Sequence, residues 1–179
     1  MSYFITLEGV EGSGKTSLID KLVGFFKDLD YEVVTTREPG ATRIGKVLRS
    51  IVLDPANTDI HKLTELLLYA ADRAQHVSEI IKPALNRGAV VISDRYTHST
   101  LAYQGYGRGL DLGTLNHLNA VATGGLKPDL VLLLDLDPAV GLQRIKDRII
   151  AKLAAKNADV SLEWNRFENE SLIVHRKLR

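Results

Sequence analysis

The sequence contains no cysteine. That excludes disulfide bonds and cysteine-ligated zinc, and separates the chain from small disulfide-stapled secreted domains. Excess charge of one sign is also missing: 23 Lys and Arg against 22 Asp and Glu leave a formal net charge of +1. A polynucleotide-binding domain usually carries a larger basic surplus, so no nucleic-acid partner is expected. No apolar run approaches the ~20 residues of a membrane span. The opening Met-Ser-Tyr-Phe-Ile-Thr-Leu-Glu has neither the basic start nor the apolar stretch of a signal peptide. A cytoplasmic protein with no membrane partner is the expectation. Proline-rich and serine-rich linkers are absent, as are repeats at solenoid periods. At 179 residues, a single domain over 1–179 is expected, and 45% hydrophobic residues suffice for a core.

What the sequence does hold is alternation. Short β-rich runs at 3–7, 32–36, 89–93 and 130–136 are separated by helical patterns at 16–29, 44–53, 63–85 and 110–121. In the first helix, Leu18, Leu22, Phe25, Phe26 and Leu29 share a side. Asp137-Pro138 reads as an N-cap followed by proline at the first helical position, so another helix starts there. The runs at 89–93 and 130–136 are continuously apolar, as buried parallel strands are. The expected fold is α/β: a three-layer sandwich whose central parallel sheet is flanked by helices. Ligands of such sheets bind beyond the carboxyl ends of the strands. Three segments, after Glu8, after Thr36 and after Ser93, fall at such ends.

The first of them is Gly9-Val10-Glu11-Gly12-Ser13-Gly14-Lys15-Thr16. It fits the phosphate-loop pattern G-x-x-x-x-G-K-[ST], and a strand precedes it while a helix follows. Glycines let backbone N–H groups turn inward around phosphate oxygens, and the helix adds its positive end. Lys15 reaches the β- and γ-phosphates of ATP in this motif, and the Thr16 hydroxyl ligates Mg²⁺. The fold class is therefore a P-loop one. A carboxylate partner for the metal is sought at the strand ends. Asp94, beside Arg95, is favoured for the ion or its water over Asp135; its other reading is a helix N-cap.

Phosphoryl transfer between two anionic substrates needs fixed cations, and arginine's planar fork suits them. Arg37, Arg49, Arg73 and Arg95 lie in or near strand ends and facing helices. Singly, a solvated surface role is the commoner fate of an arginine; Arg95, next to Asp94, is the exception. Arg144, Arg148, Lys152 and Lys156 recur every four residues along one helical face. That face is either solvated or part of a lid that brings an arginine to the phosphates. Gly12 leaves the loop itself without an arginine, so that cation must come from elsewhere.

Phe4-Ile5-Thr6-Leu7-Glu8-Gly9, Thr36-Arg37-Glu38-Pro39-Gly40, Asp94-Arg95-Tyr96 and Ala102-Tyr103-Gln104-Gly105, with Lys127-Pro128-Asp129-Leu130 and Arg166-Phe167-Glu168, resemble thymidylate kinases of the bacterial type. These are P-loop nucleoside monophosphate kinases, and the likeness runs over about residues 3–178. The resemblance implies ATP-dependent phosphorylation of dTMP to dTDP, feeding dTTP synthesis, with Mg²⁺, in a homodimer whose interface takes in helices such as the one carrying Leu66, Leu67 and Leu68, unless these are core. It implies that Tyr69 stacks on thymine, that Arg73, Thr100 and Gln104 line the base, and that Tyr103 packs against the sugar. Glu11 would sit near the 3′-hydroxyl. Arg49 and Arg95 would grip the acceptor phosphate, with Arg37 and Glu38 at the same site. Arg144 joins residues 9–16 at ATP. The catalytic set would be Lys15, Arg95 and the lid arginine Arg148, the lid covering about 142–164. Ala41, His98 and Asn165 depart from the family pattern, and so does the lid length. The family's further strand and final helix would follow Arg179.

Other readings are a kinase for a different nucleoside monophosphate or deoxynucleoside, and a nucleotide-binding protein without catalysis. A GTPase switch is disfavoured because no Asn-Lys-x-Asp guanine signature is found.

Overall fold

A computed structural model describes residues 1–154. The sequence expectations for Lys156, Asn165, Arg166, Phe167, Glu168 and the later part of the lid lie outside the described residues. Four strands form the described sheet: β1 (Tyr3–Glu8), β2 (Val33–Arg37), β3 (Val90–Asp94) and β4 (Leu130–Leu133), in the order β2-β3-β1-β4. All pairs are parallel, and Ile5 stands opposite Ile92 on one side and Leu130 on the other.

Strand residues alternate between two faces, and both faces of the inner strands are covered. Ile5, Leu7, Val90 and Ile92 pack beneath Leu18, Ile19, Leu22, Val23 and Phe26 of α1 (Lys15–Asp28). Phe4 and Val91 face the other way. They meet Val77 and Ile81 in a π-helical stretch (Val77–Ile81), Ala84 of α4 (Lys82–Asn86), and Tyr96. The π-helical stretch joins α4 to α3 (Lys62–His76), so the helical pattern at 63–85 is one run with a widened turn. On the same side lie α2 (Arg43–Leu53), packed on α3, and α6 (Leu112–Thr123), also packed on α3. A short α5 (Thr97–Thr100) runs into a second π-helical stretch (Leu101–Gly107), and α7 (Pro138–Ala154) follows β4. The Asp137 cap is present: its Oδ1 accepts from the Ala139 N–H at 2.8 Å.

Two expectations are corrected. Phe25 and Leu29 of the first helix are 58% and 53% exposed, because Ile19 and Val23 complete the buried face and swing it away from them. The segment 130–136 is not a buried strand. It is extended only over Leu130–Leu133, and Leu130 and Leu133 are 48% and 66% exposed. An apolar run marks burial only where layers cover both faces. Among the described residues β4 is an edge strand, with no strand on its outer side.

Candidate active site

The loops leaving β1, β2 and β3 converge at one end of the sheet, where the sequence places its three chemical segments. They are tied together by backbone bonds: Glu38 N–H donates to Asp94 O at 3.0 Å, and Arg95 N–H to Leu7 O at 2.9 Å.

The loop after β1 wraps the start of α1. Gly12 has φ 72°, a conformation that L side chains rarely adopt. A Cβ on Gly12 would land on the carbonyl of Gly141, and one on Gly141 would land on the Glu11 carbonyl. Two glycines thus let α7 seat directly on the phosphate loop, and Arg144 Nη1 donates to Gly12 O at 3.2 Å. Lys15 is 7% exposed, and its Nζ donates to Gly9 O and Val10 O at 3.0 Å each. Burial, and next the neighbouring Arg95 cation, lower its ammonium pKa to about 8.

A cleft of about 650 Å³ opens over this loop. Seven cations line it, Lys15, Arg37, Arg49, Arg95, Arg144, Arg148 and Lys152, against three carboxylates, Glu11, Glu38 and Asp94. Burial lowers the Arg49 pKa, and Arg37 nearby lowers it further. Cations held together at this cost fit a polyanionic ligand. Arg144, Arg148 and Lys152 line this cleft and are also exposed to solvent.

Asp94 is not an N-cap: α5 begins after Tyr96. Its Oδ1 is buried without a hydrogen-bond partner, and both Asp94 and Thr16 line the cleft. A buried carboxylate oxygen without a donor is costly. A hard divalent cation takes oxygen ligands of this kind, and Asp94 with Thr16 could hold one beside the phosphates.

Beyond Arg95 the cleft continues into a smaller pocket lined by Tyr69, Arg73, Thr100, Tyr103, Gln104 and neighbours. Arg95 has φ 73°, a strained position for a residue with a side chain. The bend turns its guanidinium into the junction, where Nη2 meets Glu11 Oε1 at 2.5 Å and Nη1 donates to Ser99 Oγ at 3.1 Å. The Tyr103 hydroxyl donates to the same Glu11 carboxylate at 2.7 Å, and the Arg95 guanidinium lies 5.3 Å from the Tyr103 ring centre. The pKa of the Glu11 carboxyl is lowered: burial opposes ionisation, but Arg95 and the Tyr103 hydroxyl outweigh it. Of the expected site residues, all but Gly9 and Val10 line these two adjoining pockets; those two border a separate small cavity behind the phosphate loop. His98 is exposed and borders the same small cavity. Leu66 is buried, whereas Leu67 is 48% exposed, so the two differ in fate.

Sequence reasoning missed the residues beneath the groove. Glu8 accepts from the Tyr96 N–H at 2.9 Å and the Ser99 hydroxyl at 2.6 Å, pinning the Asp94-Arg95-Tyr96 turn. Glu65 accepts from Gln104 at 2.8 Å and from Arg108 at 3.3 Å. Asn119 accepts from Arg73 at 2.6 Å. A signal existed: positions 65, 69, 72, 73 and 76 form one helical stripe of α3, and its buried members Glu65, Asp72, Arg73 and His76 are all polar. Polar groups buried in such number need partners or a ligand.

Asp72, in that stripe, accepts from the Gly40 N–H at 3.0 Å through Oδ1 and leaves Oδ2 buried without a partner. Burial, and next the Glu38 charge, raise its pKa from 3.8 to about 6. The folded state thus holds this proton more tightly than the unfolded chain, and the stability that Asp72 contributes is lost as pH rises through that window. Urea unfolding from pH 4 to 7 should show Asp72→Asn gaining on the parent by about 2 kcal/mol up to pH 6 and no further above it.

Comparison with known proteins matches this arrangement. The family model described as thymidylate kinase matches residues 7–172. A thymidylate kinase of Nitratidesulfovibrio vulgaris (strain DP4) is 51% identical over 176 residues, covering 98% of this chain and 76% of that one. One from Geotalea uraniireducens (strain Rf4) is 51% identical over 179 residues, covering 100% of this chain and 81% of the relative. The crystal structure of thymidylate kinase from Ehrlichia chaffeensis superposes with a TM-score of 0.71 at 37% identity, over 87% of this chain and 88% of that one. A match of this extent, on a parallel sheet with a phosphate loop and a second pocket across a shared arginine, has one reading: the chain belongs to the thymidylate kinase family.

Proposed function

We propose that the protein transfers the γ-phosphoryl group of ATP to dTMP, giving ADP and dTDP, with donor and acceptor meeting at Arg95. The observation that carries this is the shared wall: Glu11, Glu38, Arg49 and Arg95 line both the phosphate cleft and the smaller pocket. Two phosphates placed from opposite ends would be brought together there.

In this reading, residues Gly9, Val10, Glu11, Gly12, Ser13, Gly14, Lys15 and Thr16 enclose the triphosphate, with Arg144 at its outer side. Arg37, Arg49 and Arg95 neutralise the acceptor phosphate. Thr16 and Asp94 would hold Mg²⁺, which when bound supplies positive charge beside the phosphate oxygens. An oxygen of the acceptor phosphate attacks the γ-phosphorus while the bond to the β-phosphate oxygen breaks and its electron pair leaves with ADP. The attacking oxygen is already anionic near neutral pH, so no strong general base is needed. Arg148 balances charge that develops in transfer. In the acceptor pocket, Tyr69 offers an aromatic face, Arg73, Thr100 and Gln104 offer polar groups to a base edge, and Tyr103 closes the sugar position.

An ADP-release assay over a panel of monophosphates tests the assignment. dTMP should turn over best, dUMP lower by about tenfold in kcat/KM, since one methyl in an apolar pocket discriminates modestly. Equal turnover of all acceptors would remove the substrate assignment. A rise in Tm with ATP or dTMP and no dTDP would leave binding without catalysis.

The proposal includes one domain over 1–179, a homodimer and a cytoplasmic setting. Ile44, Val47 and Ile51 on α2 and Leu63 and Leu67 on α3 are all exposed. Their spacing makes apolar stripes on two packed helices, a surface suited to a second copy. No described helix is long and apolar enough to cross a membrane.

A further inference from the structure

Beneath the groove a buried chain of side chains runs from His76, which touches no substrate position, to Glu38 and Arg73, which line the acceptor pocket. His76, the last residue of α3, is 0% exposed and lines neither the cleft nor the acceptor pocket. Its Nε2 lies 2.6 Å from Thr36 Oγ1 and its Nδ1 2.9 Å from Glu38 Oε1. The other Glu38 oxygen accepts from Arg73 Nε at 2.8 Å. Arg73 then spends both Nη1 protons on Thr100 and Asn119, at 2.8 and 2.6 Å, and one Nη2 proton on the Tyr96 carbonyl at 3.1 Å.

The chemistry of each atom sets a direction. A carboxylate only accepts, so Nδ1 of His76 carries the proton that meets Glu38. In the neutral ring Nε2 then accepts from the Thr36 hydroxyl. Glu38 is held by one oxygen and holds Arg73 by the other. Of the five N–H groups of Arg73, one on Nη2 remains uncommitted, and its direction depends on where Glu38 sets the guanidinium plane. Both Glu38 and Arg73 line the acceptor pocket.

We propose that His76 is a positioning residue for the acceptor: through Glu38 it orients Arg73, with Thr36 fixing the imidazole tautomer. The proposal rests on the reading of that pocket as the dTMP site. Two neighbours give the network its rigidity. Thr36 sits in β2, whose carboxyl end carries Glu38, and His76 sits in α3, which carries Arg73, so the chain couples strand to helix across the pocket floor.

The test uses the full chain with His76→Gln, His76→Asn and Thr36→Val. An asparagine amide falls near Nδ1 and can keep the Glu38 contact; a glutamine amide reaches the Nε2 position and gives that contact up. His76→Gln should raise the KM for dTMP about tenfold, the cost of losing a hydrogen bond to a charged group. The KM for ATP and kcat at saturating dTMP should stay within about twofold, since Arg73, the group that His76 orients through Glu38, lines the acceptor pocket and not the phosphate cleft. His76→Asn should restore most of the dTMP KM, and Thr36→Val should raise it about threefold with the ATP KM unmoved. A merely structural role predicts a lower Tm with both KM values unchanged, or both raised together; either outcome overturns the proposal. Equal KM values for Gln and Asn would do so as well. If His76→Gln does not fold, the split for Thr36→Val decides. Failure of the parent protein to phosphorylate dTMP would count against the function, whereas these ratios among variants count against His76 alone.

Discussion

Lys15→Ala should reduce kcat by about 10³-fold or more, the scale seen when one preorganised charge is removed from a transition state. The residue is buried, its Nζ is anchored on the Gly9 and Val10 carbonyls, and it stands in the wall of a cleft otherwise rich in guanidinium groups. Its ammonium pKa lies at about 8, lowered by burial and by Arg95, while Asp94, Glu11 and Glu8 oppose that fall. A polyphosphate would raise it again. Below pH 8 the free protein already carries the proton and affinity is flat. Above pH 8 binding must take up a proton, so nucleotide affinity should decline as pH rises, with a buffer-dependent heat in calorimetry. Coupled ADP-release kinetics on folded Lys15→Ala, checked by its thermal transition, measures the main effect. Near-normal turnover would remove the loop from the mechanism.

Arg148→Ala should also lower kcat by about 10³-fold, as loss of a phosphate-directed arginine does in related chemistry, but leave dTMP affinity little changed. The separation follows from geometry. Arg148 lines the phosphate cleft and is absent from the acceptor pocket. It lies one turn beyond Arg144, which is tied to the Gly12 carbonyl, and the Gly12–Gly141 contact seats the start of α7 on the loop. Steady-state kcat together with dTMP binding by calorimetry decides the matter. A collapse in dTMP affinity with kcat preserved would make Arg148 a substrate-binding residue instead.

The contrast between Arg148 and His76 shows what a linear reading can reach. Arg148 was visible because charge repeated every four residues on a helix, a period the backbone imposes locally. His76 was not, because nothing near it in sequence announces Thr36 or Glu38, which lie 40 and 38 positions away. The same holds for Glu8, whose partners Tyr96 and Ser99 come from a different strand end. The polar stripe on α3 was available at helical spacing, yet its meaning depends on knowing that this face is buried. The apolar run at β4 misled for the converse reason: composition reports an affinity for cover, and among the described residues no strand lies on the outer side of β4.

The order of residues alone determined the parallel α/β architecture and the phosphate loop, and the resemblance to a known family pointed to the residues around the groove. Hydrophobic period, glycine placement and short motifs are local properties that survive without three-dimensional knowledge. Only the tertiary structure decided that Asp94 keeps a buried oxygen without a partner beside the loop, that Arg95 bridges two pockets from a strained backbone, and which buried partners hold the groove in shape. Those outcomes depend on close approach between segments far apart in the chain, and distance in space is fixed by packing rather than by spacing along the backbone.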